Sequence, residues 1–195
     1  MTNLGAPITR VDGKLKVTGT ATYAAEFSVP NVAYAVIVQS TIPNGRIAGM
    51  DASQAERISG VLAVLTPENA PRLPAPQRRI SLLQDDQVHY NGQPIAIVVA
   101  ENLQTAWHAA SLVRVQYRAA VAKLDFTAGF PASRPGSHNN IPGDVSWGDV
   151  DGGLAQAEIK IDQVYTTPIE HHNPMEPHAT IAQWDGNHLT LHDAT

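Results

Sequence analysis

The hydrophobic pattern along the chain alternates between short apolar runs and polar punctuation. Residues 32–38 (VAYAVIV) are nearly all apolar and rich in β-branched side chains. Such a run predicts a strand buried on both faces. Pro30 and Asn31 precede it, and Pro43, Asn44 and Gly45 follow it. Residues 51–59 predict a short helix, capped by Asp51 or Ser53, with Ala55 and Ile58 on one face. Gly60 sits where a glycine ends a helix, and residues 61–65 predict a second strand. Thr66-Pro67-Glu68 reads as a cap with proline at the first helical position, and residues 69–76 as a proline-rich loop.

Residues 88–90 predict an extended piece that meets a turn at Asn91-Gly92. Residues 94–100 (PIAIVVA) carry the strongest strand signal in the chain. A helix is predicted over 103–112, with Asn102 as its cap and Leu103, Trp107 (or Ala106), Ala110 and Val113 at helical spacing. A strand returns at 113–117. Strand, helix and strand at this spacing read as a β-α-β layer, so this half is expected to be mixed α and β.

The second half has a different texture. Residues 129–143 carry Pro131, Pro135, Gly136 and Pro142 around Asn139-Asn140, which predicts a linker. Residues 149–157 predict one weak helix, because Gly152-Gly153 costs about 1 kcal/mol per glycine relative to alanine. Strands are predicted at 159–166, 178–184 and 189–193, the last two facing each other across Asp185-Gly186. The sequence stops directly after that hairpin, so it is expected to be cut within a domain.

Composition narrows the function classes. The 195 residues are 43% hydrophobic, close to the soluble globular norm, so a packed core is expected. The net charge is −5 without a basic block, which disfavours nucleic acid as a partner. Arg78-Arg79 is too short for that role, and Asp85-Asp86 reads as a solvated turn. Lys14 and Lys16 follow a turn at Asp12-Gly13 and alternate as on the solvent face of an edge strand. With no cysteine, the chain has no disulfide, no thiol nucleophile and no cysteine-held cluster. This fits a reducing compartment. No stretch approaches the apolar length of a membrane helix, and residues 1–10 do not read as a secretory signal. The cytoplasm is the expected location, with export of a folded complex on a partner's signal left open.

The densest polar cluster is residues 170–178, EHHNPMEPH. Three readings stand side by side. Histidine and glutamate could ligate a metal, they could line a pocket that orients a cofactor or substrate, or they could simply form a loop between strands. The spacing matches no metal motif, and two prolines oppose the helix that an H-E-x-x-H site needs. His188 and His192 read as surface residues, alternating with Leu189 and Leu191. No phosphate-binding glycine loop, dinucleotide turn or serine nucleophile elbow occurs.

Six segments in order carry a further signal. They are 19–26 (GTATYAAE), 60–66 (GVLAVLT), 88–100 (VHYNGQPIAIVVA), 109–117 (AASLVRVQY), 174–180 (PMEPHAT) and 189–195 (LTLHDAT). Together they resemble the molybdopterin-binding large subunit of the xanthine dehydrogenase and aldehyde oxidoreductase family, over nearly the whole chain. The resemblance is to bacterial enzymes whose iron–sulfur and flavin parts sit on separate chains, as the absence of cysteine allows.

The resemblance implies an α+β fold: an α/β hammerhead mixed-sheet domain over residues 10–125, a Pro/Gly-rich linker over 126–144, and the strands of an incomplete molybdopterin-binding domain over 145–195. It implies a molybdenum-dependent hydroxylase that oxidises aldehydes or N-heterocycles with water as the oxygen source. The implied partners are iron–sulfur and flavin subunits. Glu170 and His171 are the implied cofactor-binding residues, and Glu170 stands where many members carry a glutamine. Glu176 and His178 match the family pattern and are expected to act as scaffolding. The family's glycine-rich loop beside the molybdenum and its glutamate base lie downstream of this sequence, so no catalytic residue is expected here. The isolated chain is expected to be inactive and to bind no cofactor alone. Two other readings remain: a free-standing, non-catalytic hammerhead module that docks onto partner subunits, and an independent histidine metalloprotein.

Overall fold

The apolar run at 94–100 becomes the central strand of a sheet in the computed structural model, which describes residues 5–74, 82–129, 136–138 and 141–194. In chain order the elements are α1 (Gly13–Val17), a 3-10 turn (Ala24–Glu26), β1 (Tyr34–Gln39), β2 (Gly45–Asp51), α2 (Ser53–Glu56), β3 (Val61–Leu65) and β4 (Gln87–Val88). They continue with β5 (Pro94–Ala100), α3 (Leu103–Leu112), β6 (Arg114–Ala119), α4 (Phe126–Gly129), β7 (Ser137–His138), β8 (Ile141–Pro142), α5 (Val150–Gln156), β9 (Thr180–Asp185) and β10 (His188–Asp193). Contacts divide the chain into two units, residues 32–161 and residues 1–31 with 162–195.

The first of these units holds two three-stranded antiparallel sheets, ordered β1-β5-β3 and β4-β2-β6. β5 and β6 flank α3 in sequence but lie in different sheets, so α3 links two sheets. β5 is central because it is apolar at every position. Ala96, Val98 and Ala100 are fully buried on one face. Val98 joins Ala55, Val64 and Ala109 in the core, with Val38, Ile58, Val61 and Ala110 packed around it.

Small residues on α3 make this packing close. Ala106 and Ala109 are fully buried, so the helix backbone can approach the sheet. Trp107 was a candidate for the buried face, but it is 59% exposed. The alanine stripe meets the sheet, and the larger indole lies outside it. The Asn102 side chain accepts a 2.8 Å hydrogen bond from the Thr105 amide, fixing the first turn of α3. Asn102→Ala is expected to cost about 1 kcal/mol, read as a shifted midpoint in denaturant. An unchanged midpoint would mean that the cap contributes nothing.

Several expectations are corrected. β1 is not buried on both faces. Val36 and Val38 pair with Val98 and Ala96, on the face that α3 covers, while Ile37 opposite Ile97 is exposed. Lys14 and Lys16 lie on the helix α1, where Lys16 Nζ pairs with Asp12 at 2.6 Å across one turn. A strand would not bring residues four apart into that contact. Lys16 and Arg10 hold the Asp12 carboxyl below the usual carboxylate range.

Thr66-Pro67-Glu68 forms a single turn, not a helix. The Asn69 side chain accepts the Thr66 amide at 2.7 Å and donates to the Val64 carbonyl at 2.8 Å. This local bonding competes with helix propagation. Residues 159–166 form no strand. Ile159, Ile161, Val164 and Tyr165 are exposed, and no described strand pairs with them. The 129–143 segment contains the short β7–β8 pair, with Ser137 opposite Pro142. Arg78-Arg79 and Asn139-Asn140 lie outside the described residues.

The helix expected over 51–59 spans only Ser53–Glu56, because Asp51 is the last residue of β2. Asp51 Oδ1 accepts the Ser53 amide at 2.9 Å, and its contacts with Ser53 pull the Asp51 carboxyl below its ordinary range. Gly60 has φ +88°, but α2 is capped at Arg57, so this glycine ends the turn that leads into β3 and not the helix itself. Asp149 caps α5 through the Gly152 amide. Asp86 is more than a solvated turn residue, since it pairs with Arg46 at 2.6 Å.

Candidate functional site

The unit formed by residues 1–31 and 162–195 carries the polar cluster. β9 and β10 make an antiparallel hairpin in which Asp185 faces His188 and Thr180 faces Asp193. Gly186 takes φ +56° at the turn, a conformation that favours glycine. The Thr180 hydroxyl donates to Asp193, and the Ala194 amide donates to the Ala179 carbonyl at 3.2 Å, closing the open end of the hairpin. Residues 170–178 lead into β9 without helix or strand pairing, with a bend at 175–176 and Asn173 at φ +36° before Pro174.

The cluster is spread along that chain. Glu170, His171, His172 and His178 are exposed, and none forms a hydrogen bond or ion pair with another described residue through its side chain. Among the described residues, no three His, Asp or Glu side chains converge to hold a metal ion. Glu170 and His171 are adjacent and offer complementary chemistry to a ligand. An ionised carboxylate only accepts hydrogen bonds, while an imidazole donates through one nitrogen and accepts through the other.

Glu176 differs from its neighbours. It is half-buried, and its Oε1 accepts the Ala24 amide at 2.8 Å, from a residue 152 positions away. The next amide back, Tyr23 N–H, donates to Glu26 Oε2 at 2.7 Å. Two carboxylates therefore take up successive amides at the start of the 3-10 turn, where no helical acceptor exists. Phe27 then stacks on His192 of β10, with ring centroids 4.1 Å apart and planes 17° from parallel. His192 is thus a packing residue, not the surface residue expected from strand alternation. Its hairpin neighbours Leu189 and Leu191 are the more exposed side chains. No local pattern signals either long-range contact. The trace in the sequence is that residues 19–26, 174–180 and 189–195 all belong to the set of family-like segments.

Both halves of the chain resemble known protein families. Residues 18–120 match the family described as aldehyde oxidase and xanthine dehydrogenase, a/b hammerhead domain, and residues 133–195 match the molybdopterin cofactor-binding domain. The chain is 42% identical over 194 residues to the aldehyde oxidoreductase molybdenum-binding subunit PaoC of Escherichia coli, covering 96% of this chain and 26% of that protein. It is 30% identical over 189 residues to the nicotinate dehydrogenase large molybdopterin subunit of Eubacterium barkeri, covering 93% of this chain and 44% of that protein.

The aldehyde oxidoreductase of Desulfovibrio gigas superposes with a TM-score of 0.57 at 24% identity, over 77% of this chain and 19% of that one, which shows a shared fold. The chain thus spans about a quarter of the length of the first curated relatives it matches, 26% for the Escherichia coli protein. No helix among the described residues is long and apolar enough to cross a membrane. With its hammerhead match covering most of the α and β elements and a cofactor-binding match over the hairpin segment, the chain belongs to the aldehyde oxidase and xanthine dehydrogenase family.

Proposed function

We propose that this chain is the N-terminal portion of the large subunit of a molybdenum hydroxylase that oxidises aldehydes. The observation that carries this reading is the molybdopterin cofactor-binding match over residues 133–195, which contains Glu170 and His171. The 42% identity to an aldehyde oxidoreductase subunit favours an aldehyde over an N-heterocycle. In this reading residues 10–125 are the hammerhead domain, 126–144 the linker and 145–195 the opening of the cofactor domain. The family matches at 18–120 and 133–195 support that organisation. Iron–sulfur and flavin subunits complete the assembly, since this cysteine-free chain supplies no cluster ligands. The compartment follows that of the assembly and is taken as the cytoplasm.

The donor set fits a pterin cofactor. A pterin edge presents ring N–H donors and carbonyl acceptors, and its side arm carries a phosphate. Glu170 would accept from the ring N–H groups, and His171 would donate to an anionic oxygen. Both side chains are exposed, without a hydrogen bond to another described residue, and so have capacity for a ligand. When bound, the molybdenum cofactor supplies the redox chemistry by which an oxygen from water is added to the substrate carbon. The part of this chain is to hold and orient the cofactor. Among the described residues none is placed to act as the base, and the chain on its own is inactive.

Oxidation of an aldehyde under ¹⁸O-labelled dioxygen by the native enzyme containing this sequence tests the reading. The carboxylate product is expected to carry no label from the gas. Labelled product, or turnover by the 195-residue chain alone, would contradict it.

A further inference from the structure

We propose that residues 23–27 form a clasp that positions the 170–178 segment for the cofactor, with Glu176 as the positioning residue. The inference rests on the reading of Glu170 and His171 given above. Residues 170–178 have no ladder of their own, so something must fix their course. Two contacts do so, one at each side of the 3-10 turn.

Glu176 Oε1 takes the Ala24 amide at 2.8 Å, six positions after Glu170. Ala24 is 6% exposed, so its amide has little access to water and needs this acceptor. Three residues on, Phe27 stacks at 4.1 Å on His192, which faces Ile181 across the hairpin that follows the segment. One short stretch of chain thus grips the segment at Glu176 and also grips the hairpin into which it runs. The turn is internally braced, because Glu26 accepts the Tyr23 amide at 2.7 Å. A braced turn can transmit position; a loose one would only follow. Glu176 reaches the cofactor through the backbone of its own segment and is not a ligand.

The test uses the full-length subunit carrying this sequence, in its assembled enzyme. Two quantities are measured for wild type, Glu176→Ala, Glu176→Gln and Phe27→Leu: amide hydrogen exchange in the peptide over 170–180, and molybdenum retained per subunit. Glu176→Ala is expected to speed exchange in that peptide and to weaken cofactor retention on the order of tenfold, the usual scale for lost supporting contacts around a metal group. Glu176→Gln keeps an oxygen that can accept the Ala24 amide, so both quantities should stay near wild type. Phe27→Leu keeps apolar bulk but loses the ring stack. It should move both quantities the same way as Glu176→Ala, and it serves as the test if that variant does not fold.

Unchanged exchange in the variants would overturn the clasp. Faster exchange with molybdenum fully retained would overturn its positioning role. Failure of the underlying reading has a different signature, namely molybdenum retained after Glu170→Ala with His171→Ala, whatever the exchange shows.

Discussion

Gly45→Ala is expected to destabilise the fold by about 4 kcal/mol. Gly45 opens β2 and pairs with both Val88 and Ala119, so it stands where the central strand of the second sheet meets its two neighbours. Its φ is +147°, outside the range that L side chains ordinarily adopt. A Cβ there would lie 2.4 Å from the Arg118 carbonyl oxygen and 3.0 Å from Ala119 Cα and Ile42 Cδ1. The nearest atom is backbone in a paired strand, so relief requires β2 and β6 to part. The cost combines backbone strain of about 1–3 kcal/mol with ladder hydrogen bonds of about 1 kcal/mol each.

Gly49→Ala in the same strand is the control. Among the described residues, its Cβ would meet only the Gln116 side-chain oxygen, at 3.8 Å. Denaturant unfolding of the two variants should separate them by several-fold in lost stability. Equal effects would mean that the register of β2 is wrong.

The second large effect concerns the cofactor. Glu170→Ala combined with His171→Ala is expected to lower cofactor affinity on the order of a hundredfold, because hydrogen bonds to charged groups contribute about 1.5–3 kcal/mol each. The measurement is molybdenum per subunit in the purified full-length protein. Glu170→Gln should keep the metal, since an amide oxygen still accepts and its nitrogen adds a donor. His188→Ala on β10 is the control and should leave the metal content unchanged. Its side chain is exposed and makes no hydrogen bond with a described residue. Full retention in the double variant would remove both residues from the site.

What could be read from the sequence was what is decided locally. β3, β5 and α3 occur with the predicted bounds, because each is an apolar run or stripe closed by its own punctuation. Asn102 declares the start of α3, and Gly60 the end of the preceding turn. The errors arise where a partner decides. Ile37 sits in a run that looks doubly buried, yet α3 covers only the opposite face of its sheet. Residues 159–166 have strand composition and no described strand beside them. Lys14 and Lys16 fit either period, and the Asp12 contact settles the helix.

The polar cluster at 170–178 was visible as a cluster, and Glu176 as scaffolding. Its acceptor role toward Ala24 was not, because a contact across 152 positions leaves no periodic trace. The same holds for Phe27 on His192.

Metal analysis of the native polypeptide, isolated from its source with an antibody to this segment, is the decisive measurement for the proposed molybdenum cofactor. Molybdenum and a released pterin are expected in stoichiometric amounts, in an assembly with iron–sulfur and flavin chains. A pure, folded native polypeptide that contains neither molybdenum nor pterin would exclude that cofactor.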